Sequence, residues 1–328
     1  AYENANYRTD YIDARGRLDR YGGQAYEHFQ NTAGLNLDWL MVKDQNIALS
    51  ASRTDMLPRD ETFNDQESVY YSESAMYQWM INPVVMAGAG ATLNQYSYTA
   101  ATNRPDTMFQ TYSVFSTIKL TERTMGAASV GYSMVSLPSS YGDSAGVAVD
   151  NSGMVGSLSI KTELDRDLAH ELAYARAIQA GFSSAYELVD KYSYHIDWKR
   201  KAALAVSLFS EYNKSSQSDS LLGEYTDWVS GMTISLPFTS LVALELSTTY
   251  SVRENKGTAD SQGAGVELKN SYNTWSSRAG TSIPLMSRDR NSAGFTTYVE
   301  HVERSSDSDV LKYSRDIFVA TVTYTHQF

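Results

Sequence analysis

The chain has 328 residues, with no Cys, 6 Pro, 20 Gly and 24 Tyr, and 27 basic against 38 acidic side chains give it a net charge of −11. The absence of Cys excludes a disulfide framework, a thiolate nucleophile and a cysteine zinc site. The acidic balance argues against a nucleic-acid partner, because phosphate binding needs clustered Lys and Arg. No apolar run approaches the roughly 18 residues of a membrane-spanning helix, which excludes a helical membrane protein but not a membrane β-barrel.

The informative signal is alternation between apolar and polar side chains, because residues two apart share one face of a β-strand. Segments with this alternation begin, in chain order, at Leu35, Leu158, Tyr192, Leu244 and Phe318. From Leu244 to Val252 one parity carries Leu, Leu, Thr, Tyr and Val, and the other carries Glu, Ser, Thr and Ser. The pattern predicts strands with one apolar, aromatic face and one small or charged face.

Turn signals divide these strands into a regular series. Seven short turn candidates lie at 43–46, 82–83, 121–124, 164–167, 199–201, 237–240 and 287–290. They alternate with eight other, mostly longer, polar connections near 20–24, 58–66, 101–106, 139–151, 181–185, 213–220, 255–263 and 304–309. The series predicts about sixteen strands of about 20 residues each with their connections, which suits tilted membrane strands of roughly 9–11 residues that extend beyond the bilayer. No linker divides the series, so we expect a single domain over 1–328.

One segment is ambiguous. Residues 163–182 have the Ala, Leu and Glu content of a helix. The alternation of turns requires a strand there, and we predict a strand, with a short amphipathic helix as the alternative.

A soluble β-sandwich or propeller also has many alternating strands. The apolar parity of this chain is rich in Tyr and Trp, which a soluble protein would not expose, and the opposite parity is too hydrophilic for a packed core. Trp39, Trp79 and Trp198 each precede a tight turn by a few residues, where an interfacial aromatic girdle belongs. We therefore predict an all-β fold, a single antiparallel transmembrane β-barrel of about sixteen strands in an up-and-down meander.

The last strand carries a family resemblance. Phe328 is terminal, and Tyr324, Val322, Ala320 and Phe318 share its parity, while His326 departs from the usual residue. This resembles the C-terminal signature of Gram-negative outer-membrane β-barrel proteins, including porins. The resemblance implies integration in the outer membrane among lipid and lipopolysaccharide, recognition by the barrel-assembly machinery, both termini in the periplasm, short periplasmic turns and longer outer loops. Size and strand count also resemble the barrel domains of exopolysaccharide exporters.

The sequence offers little for catalysis. None of the five His forms an HExxH pair. His195 shares a parity with Ser193 and Asp197, but alternate polar residues are what any strand facing a hydrated lumen shows. We predict no enzyme activity, no cofactor and no metal site.

Charged residues on the polar parity are candidates for a permeation filter. The candidate lumen charges are Asp38, Lys119, Lys161, Glu163, Asp197, Glu245, Glu267, Lys269 and Arg315. The candidate outer mouth consists of Asp60, Glu61, Asp65, Asp143 and Asp150. An acidic mouth concentrates cations within about a Debye length, so we expect a channel for hydrophilic solutes that prefers cations. Export of a secreted polysaccharide and a barrel anchor for a periplasmic or surface partner are the alternatives.

Overall fold

The computed structural model describes residues 2–12, 18–19, 24–99, 106–137, 150–181, 185–200, 204–217, 224–237, 239, 242–256, 258–259, 266–267, 270–288, 291–306 and 312–327. Sixteen long strands dominate these residues, and none of the residues described forms an α-helix. In the same ranges no helix has the length and apolar character needed to cross a membrane.

The first eight long strands are β1 Tyr2–Ile12, β2 Gln24–Val42, β3 Gln45–Pro58, β4 Ser68–Asn82, β5 Val85–Tyr98, β6 Thr107–Lys119, β7 Thr124–Ser136 and β8 Asp150–Glu163. The other eight are β9 Leu168–Gln179, β10 Glu187–Arg200, β11 Leu204–Gln217, β12 Glu224–Pro237, β13 Ala243–Lys256, β14 Asn270–Arg288, β15 Asn291–Ser306 and β16 Tyr313–Gln327. Two-residue strands occur at Leu18–Asp19, Thr258–Ala259 and Val266–Glu267, and a 3₁₀ helix occurs at Glu61–Gln66.

The chain forms two compact units. The first contains Ala1–Ser159, Ala175–Asp190 and Ser215–Leu222, and the second contains Ile160–Tyr174, Lys191–Lys214 and Gly223–Phe328. In the first unit β1 through β7 pair in chain order, each strand antiparallel to the next. In the second unit β12 through β16 pair in the same way. The predicted antiparallel meander of about sixteen strands is confirmed, and the single domain stays a prediction.

Tight turns close the hairpins at four of the predicted places, 43–46, 82–83, 121–124 and 164–167. The other three predicted turns include residues outside the described ranges. Asn82 illustrates the local chemistry, because its Oδ1 accepts hydrogen bonds from the backbone N–H of Val84 at 2.8 Å and of Val85 at 2.9 Å. Asn favours turns through such side-chain to backbone bonds. Register shifts between Leu40 and Val42 and between Met80 and Asn82 place a bulge beside each of two turns. Bulges of this kind bend a strand where the pairing ends.

The ambiguous segment folds as a strand, β9 over Leu168–Gln179. Its Ala and Leu residues have high helix propensity, but a strand lets its backbone groups join the sheet. Tertiary pairing therefore overrides local propensity, as the alternation of turns predicted.

Candidate functional site

The strand register sorts the side chains into two faces, because directly opposed residues of an antiparallel pair lie on the same side of the sheet. Leu37 opposes Leu49, and Trp39 opposes Ile47. Thr32 opposes Thr54, and Asn36 opposes Ser50, on the other side. We call the side of Leu37 and its register partners the apolar face and the side of Thr32 and its register partners the polar face. In the second unit, Ile234 and Leu246 mark the apolar face, and Thr233 and Ser247 the polar face.

In the first unit, hydroxyl and amide groups on the polar face bond to one another across neighbouring strands. The pairs are Thr32–Thr54 at 2.9 Å, Ser50–Ser74 at 2.8 Å, Ser72–Asn94 at 2.8 Å, Tyr70–Asn94 at 2.8 Å, Thr111–Ser133 at 2.9 Å and Ser129–Ser157 at 2.7 Å. Cross-strand hydroxyl pairs contribute modestly to sheet stability. Their larger effect here is a hydrophilic surface whose polar groups are already satisfied.

In the second unit, arginine and tyrosine side chains occupy the polar face of β12 to β16. The guanidinium carbon of Arg278 lies 3.7 Å from the ring centroid of Tyr298. That of Arg304 lies 3.9 Å from the Tyr272 centroid and 4.9 Å from the Tyr313 centroid. Cation–π contacts of this kind fix guanidinium groups in place.

Two further charged groups extend this surface. Arg253 lies 4.8 Å from the Tyr225 centroid, and its Nη2 donates to Asp227 Oδ2 at 3.1 Å, with only 7% and 15% of the two side chains exposed. Arg315 lies 5.3 Å from the Tyr313 centroid. We call Arg253, Arg278, Arg304 and Arg315, with the tyrosines that they contact, the arginine wall.

A separate charged group lies on β10 and β11. Lys191 Nζ is 3.0 Å from Glu211 Oε1, and His195 Nε2 is 3.6 Å from the same oxygen. The His195 ring also stacks on Phe209, with centroids 6.1 Å apart. The observed partner of His195 is therefore a carboxylate on the next strand. Among the described residues, no group of three or more His, Asp or Glu could hold a metal ion.

Seven of the predicted lumen charges fall on the polar face. Register places Asp38 opposite Ala48, Lys119 opposite Met125, Glu245 opposite Ser235 and Arg315 opposite Val302. Alternation along the strand places Lys161 and Glu163 with Ser157, and Asp197 with His195. The Glu267 side chain and the whole of Lys269 lie outside the described residues. Only Arg315 joins the arginine wall, and a role of the others in permeation stays a prediction.

The predicted outer mouth includes the connection between β3 and β4. Asp60 and Glu61 are exposed there, while the 3₁₀ turn buries Phe63 against Tyr26 of β2, with ring centroids 5.3 Å apart. Tyr26 stacks on His28 at 4.5 Å, and both are on the parity of Thr32. This connection therefore packs on the polar face of β2. The side chains of Asp65 and Asp150 and the whole of Asp143 lie outside the described residues.

The predicted aromatic girdle occupies the apolar face. Trp39 and Trp79 are 59% and 45% exposed, each a few residues before a tight turn. Trp198 is partly buried and shares its parity along β10 with the exposed Tyr192 and Tyr194. The position of these three residues agrees with a girdle, and their contact with lipid stays a prediction.

Sequence reasoning missed a second aromatic group at the other end of the strands. Trp228 and Trp275 are about half exposed on the apolar face. Trp228 Nε1–H donates to Ser210 Oγ at 2.9 Å, and Trp275 Nε1–H donates to Thr248 Oγ1 at 2.8 Å. Both lie beside the longer connections, whereas the predicted girdle residues lie beside tight turns. The shared parity of Trp228 with Met232 and Ile234 was the available signal.

A shallow groove of about 750 Å³ lies on the apolar face of β3 to β8. Ala75, Ala89 and Ala91 line it together with Tyr77, Tyr112 and Tyr132. Its lining is mostly apolar, with Met, Val, Ile, Ala and Gly beside the tyrosines and Ser113, which suits contact with lipid better than binding of a hydrophilic solute. In the last strand, Tyr324 opposes Ala293, but its side chain and the whole of Phe328 lie outside the described residues. The assembly signal therefore stays a prediction.

Comparisons with known proteins agree with this arrangement. No protein-family model matches the sequence, and no curated protein matches it. The FrpB iron transporter from Neisseria meningitidis (F5-1 variant) aligns over 99% of this chain and 69% of that chain, with 8% identity and a TM-score of 0.54. Its F3-3 variant aligns over 99% and 68%, with 7% identity and a TM-score of 0.53. A bacterial polysaccharide outer membrane secretin aligns over 100% and 98%, with 11% identity and a TM-score of 0.49.

At these identities the likeness concerns the fold alone. Together with the sixteen-stranded antiparallel meander and its two contrasting faces, it shows that the chain has the β-barrel fold of Gram-negative outer-membrane proteins.

Proposed function

We propose that this protein is an outer-membrane channel through which hydrophilic solutes diffuse, with a preference for cations. The observation that carries the proposal is the contrast between the two faces. The apolar face exposes large side chains such as Leu37, Val114 and Phe318, which suit contact with lipid. The polar face carries hydroxyl, amide and charged groups, which suit a water-filled lumen.

The proposed ion preference rests on charge. The whole chain carries −11, and Asp60 and Glu61 are exposed in the β3–β4 connection. Fixed negative charge at a mouth raises the local concentration of cations. This connection packs on the polar face through Phe63, which supports a location at the lumen entrance.

Conductance of the purified protein in a planar bilayer tests the channel. Under a KCl gradient we expect a reversal potential that indicates cation preference. The preference should grow on dilution, because the Debye length rises from about 10 Å at 0.1 M to about 30 Å at 0.01 M. Absence of conductance rejects the open channel.

Two paired variants test the role of the mouth. Asp60→Asn with Glu61→Gln should weaken the cation preference. Asp165→Asn with Asp167→Asn removes the same charge from an exposed tight turn and should have a smaller effect. Equal effects, or anion preference in the unmodified protein, contradict the proposed role of the mouth.

Export of a polysaccharide is the second candidate, and aromatic rings on the polar face favour it. Tyr70 and Tyr96 stack there with centroids 4.4 Å apart, and aromatic rings offer flat surfaces to sugar rings. If the protein exports a polysaccharide, deletion of the gene should abolish secretion of that polysaccharide, and expression of the intact chain should restore it. This result would support export over general diffusion.

The proposal includes an orientation. The tight turns, including Lys199 and Arg200, face the periplasm with both termini, and the longer connections face outward. The placement of exposed Trp39 and Trp79 near the turns supports a membrane boundary there, and the direction across the membrane follows from the family resemblance of the last strand.

A further inference from the structure

We propose that the arginine wall binds oxyanion groups, such as carboxylates, on the solute or polymer that passes through the barrel. This inference rests on the proposed passage and names a substrate class for it. The wall lies entirely in the second compact unit, on the polar face of β12 to β16, with Asp227 beside Arg253.

The first argument is charge. Four arginines lie on this part of the polar face, and the carboxylates of Asp227 and Glu300 lie among them. Asp227 is paired with Arg253, and Glu300 accepts a hydrogen bond from Ser276 Oγ at 2.5 Å. Glu245 lies opposite Gly280, in the row of the wall residue Tyr298, and is a third carboxylate of this surface. The wall thus carries four positive and three negative groups, and this excess of positive charge attracts anions.

The second argument is geometry. A guanidinium that stacks on an aromatic ring keeps its N–H groups in the plane of the group, where they match a carboxylate or phosphate. The guanidinium carbon of Arg278 lies 3.7 Å from the Tyr298 ring centroid, and the residue as a whole is only partly buried. An oxyanion that reaches this residue would accept hydrogen bonds from its N–H groups.

The third argument is access combined with rigidity. Arg253 and Arg304 are 6% and 3% exposed, so they are fixed within the packed surface. Arg278 and Arg315 are only partly buried, and they present the positive charge of the wall to a solute. Fixed charges on a lumen wall set the electrostatic path of permeating groups.

The wall and the acidic mouth act on different steps. The exposed carboxylates of the β3–β4 connection act on small ions that approach from solution. The wall acts on an anionic group that has entered, and it opposes the cation preference of the mouth. Removal of wall arginines should therefore raise the cation preference, whereas removal of Asp60 and Glu61 should lower it.

Current block by defined oligosaccharides tests the inference. We expect a hexamer of galacturonic acid to block the KCl current of the intact chain at least tenfold more strongly than neutral maltohexaose. In the variant Arg278→Gln with Arg315→Gln, block by the acidic hexamer should weaken at least tenfold. The control variant Arg123→Gln with Arg166→Gln removes two exposed arginines from tight turns and should change the block less than threefold.

Two outcomes overturn the inference: equal block by the acidic and neutral hexamers, or equal weakening in the wall and control variants. Calorimetric titration of the detergent-purified protein with the acidic hexamer separates this inference from the proposed channel. If the intact chain binds the acidic hexamer, the wall variant does not, and no conductance is found, the results support binding by the wall and reject open diffusion. Conductance without binding supports the channel and rejects the wall.

Discussion

The ring of Phe63 packs edge-on against the ring of Tyr26, with the two centroids 5.3 Å apart. Both side chains are buried, at 8% and 1% exposure. Tyr26 belongs to a long strand, and Phe63 belongs to the 3₁₀ turn that connects β3 with β4. The contact therefore ties a connection with exposed carboxylates to the polar face of the sheet.

The variant Phe63→Ala tests this tie. Full burial of a Phe side chain stabilises by about 1.5–3 kcal/mol, and a loss of about 1.4 kcal/mol raises the population of the open connection roughly tenfold. We expect trypsin to cleave after the exposed Arg59 about tenfold faster in the variant. Glu61→Ala changes an exposed residue of the same turn and serves as the control. Equal cleavage rates would show that the aromatic contact does not hold the connection.

Period-two alternation predicts the faces of the sheet but not the contacts across it. Leu246 lies opposite Ile234 and Ser247 opposite Thr233, as the parity of that segment requires. The contact of Phe63 with Tyr26 and that of Arg304 with Tyr272 depend on strand register and loop conformation. Local sequence patterns give neither strand register nor loop conformation. The sequence therefore predicted only one member of the arginine wall, Arg315.

Adjacent residues of β7 test the assignment of the faces. Val130 is 49% exposed on the apolar face opposite Val114, and Ser129 bonds to Ser157 on the polar face. Arg at the bilayer midplane of a barrel costs about 2–4 kcal/mol. We expect Val130→Arg to weaken the free energy of folding into lipid vesicles by about that amount. Ser129→Arg should fold nearly as well as the unmodified chain. A greater loss for Ser129→Arg would reverse the faces.

Tryptophan fluorescence tests the two aromatic groups. Along β4, Tyr71 and the girdle residue Trp79 are eight residues apart, which corresponds to about 26 Å of strand. A strand tilted by about 35–45° then separates these two rings by about 20 Å along the membrane normal, somewhat less than the height of an apolar band about 25 Å tall. The chain has 5 Trp, so single-Trp variants are practical.

Variants that retain only Trp39 or only Trp275, with the other four replaced by Phe, should each be quenched most by lipids brominated near the headgroup. Lipids brominated near the chain ends should quench both less. Strong quenching of Trp275 by lipids brominated near the chain ends would place it in the middle of the bilayer. That result would contradict an interfacial position for the second aromatic group.

The absence of native Cys permits a direct test of orientation. Glu61→Cys lies in the β3–β4 connection, and Arg200→Cys lies at the exposed end of β10. On intact cells an impermeant thiol reagent should label position 61 and not position 200, and both should react after the outer membrane is opened. Labelling of position 200 alone on intact cells would reverse the proposed orientation.

The pair of Arg253 and Asp227 gives the sharpest stability test, because both side chains are largely buried and 3.1 Å apart. Loss of one partner of a buried pair leaves an uncompensated charge and costs about 3–5 kcal/mol. We expect Asp227→Asn to lower the free energy of unfolding in urea by that amount in lipid vesicles. Glu27→Gln breaks the exposed pair with Arg59, whose side chains are 46% and 72% exposed, and should cost less than about 1 kcal/mol.

The double variant Arg253→Met with Asp227→Leu separates two explanations of such a loss. Apolar replacement of a buried pair is often neutral or stabilising, because the cost of desolvating two charges disappears together with their attraction. We expect the double variant to recover most of the stability that Asp227→Asn loses. Recovery would show that the cost arises from the buried Arg253 charge after the loss of Asp227. A double variant as unstable as Asp227→Asn would show instead that the ion pair itself, with the Tyr225 contact, holds β12 and β13 together, and the wall would then be a structural element before it is a binding surface.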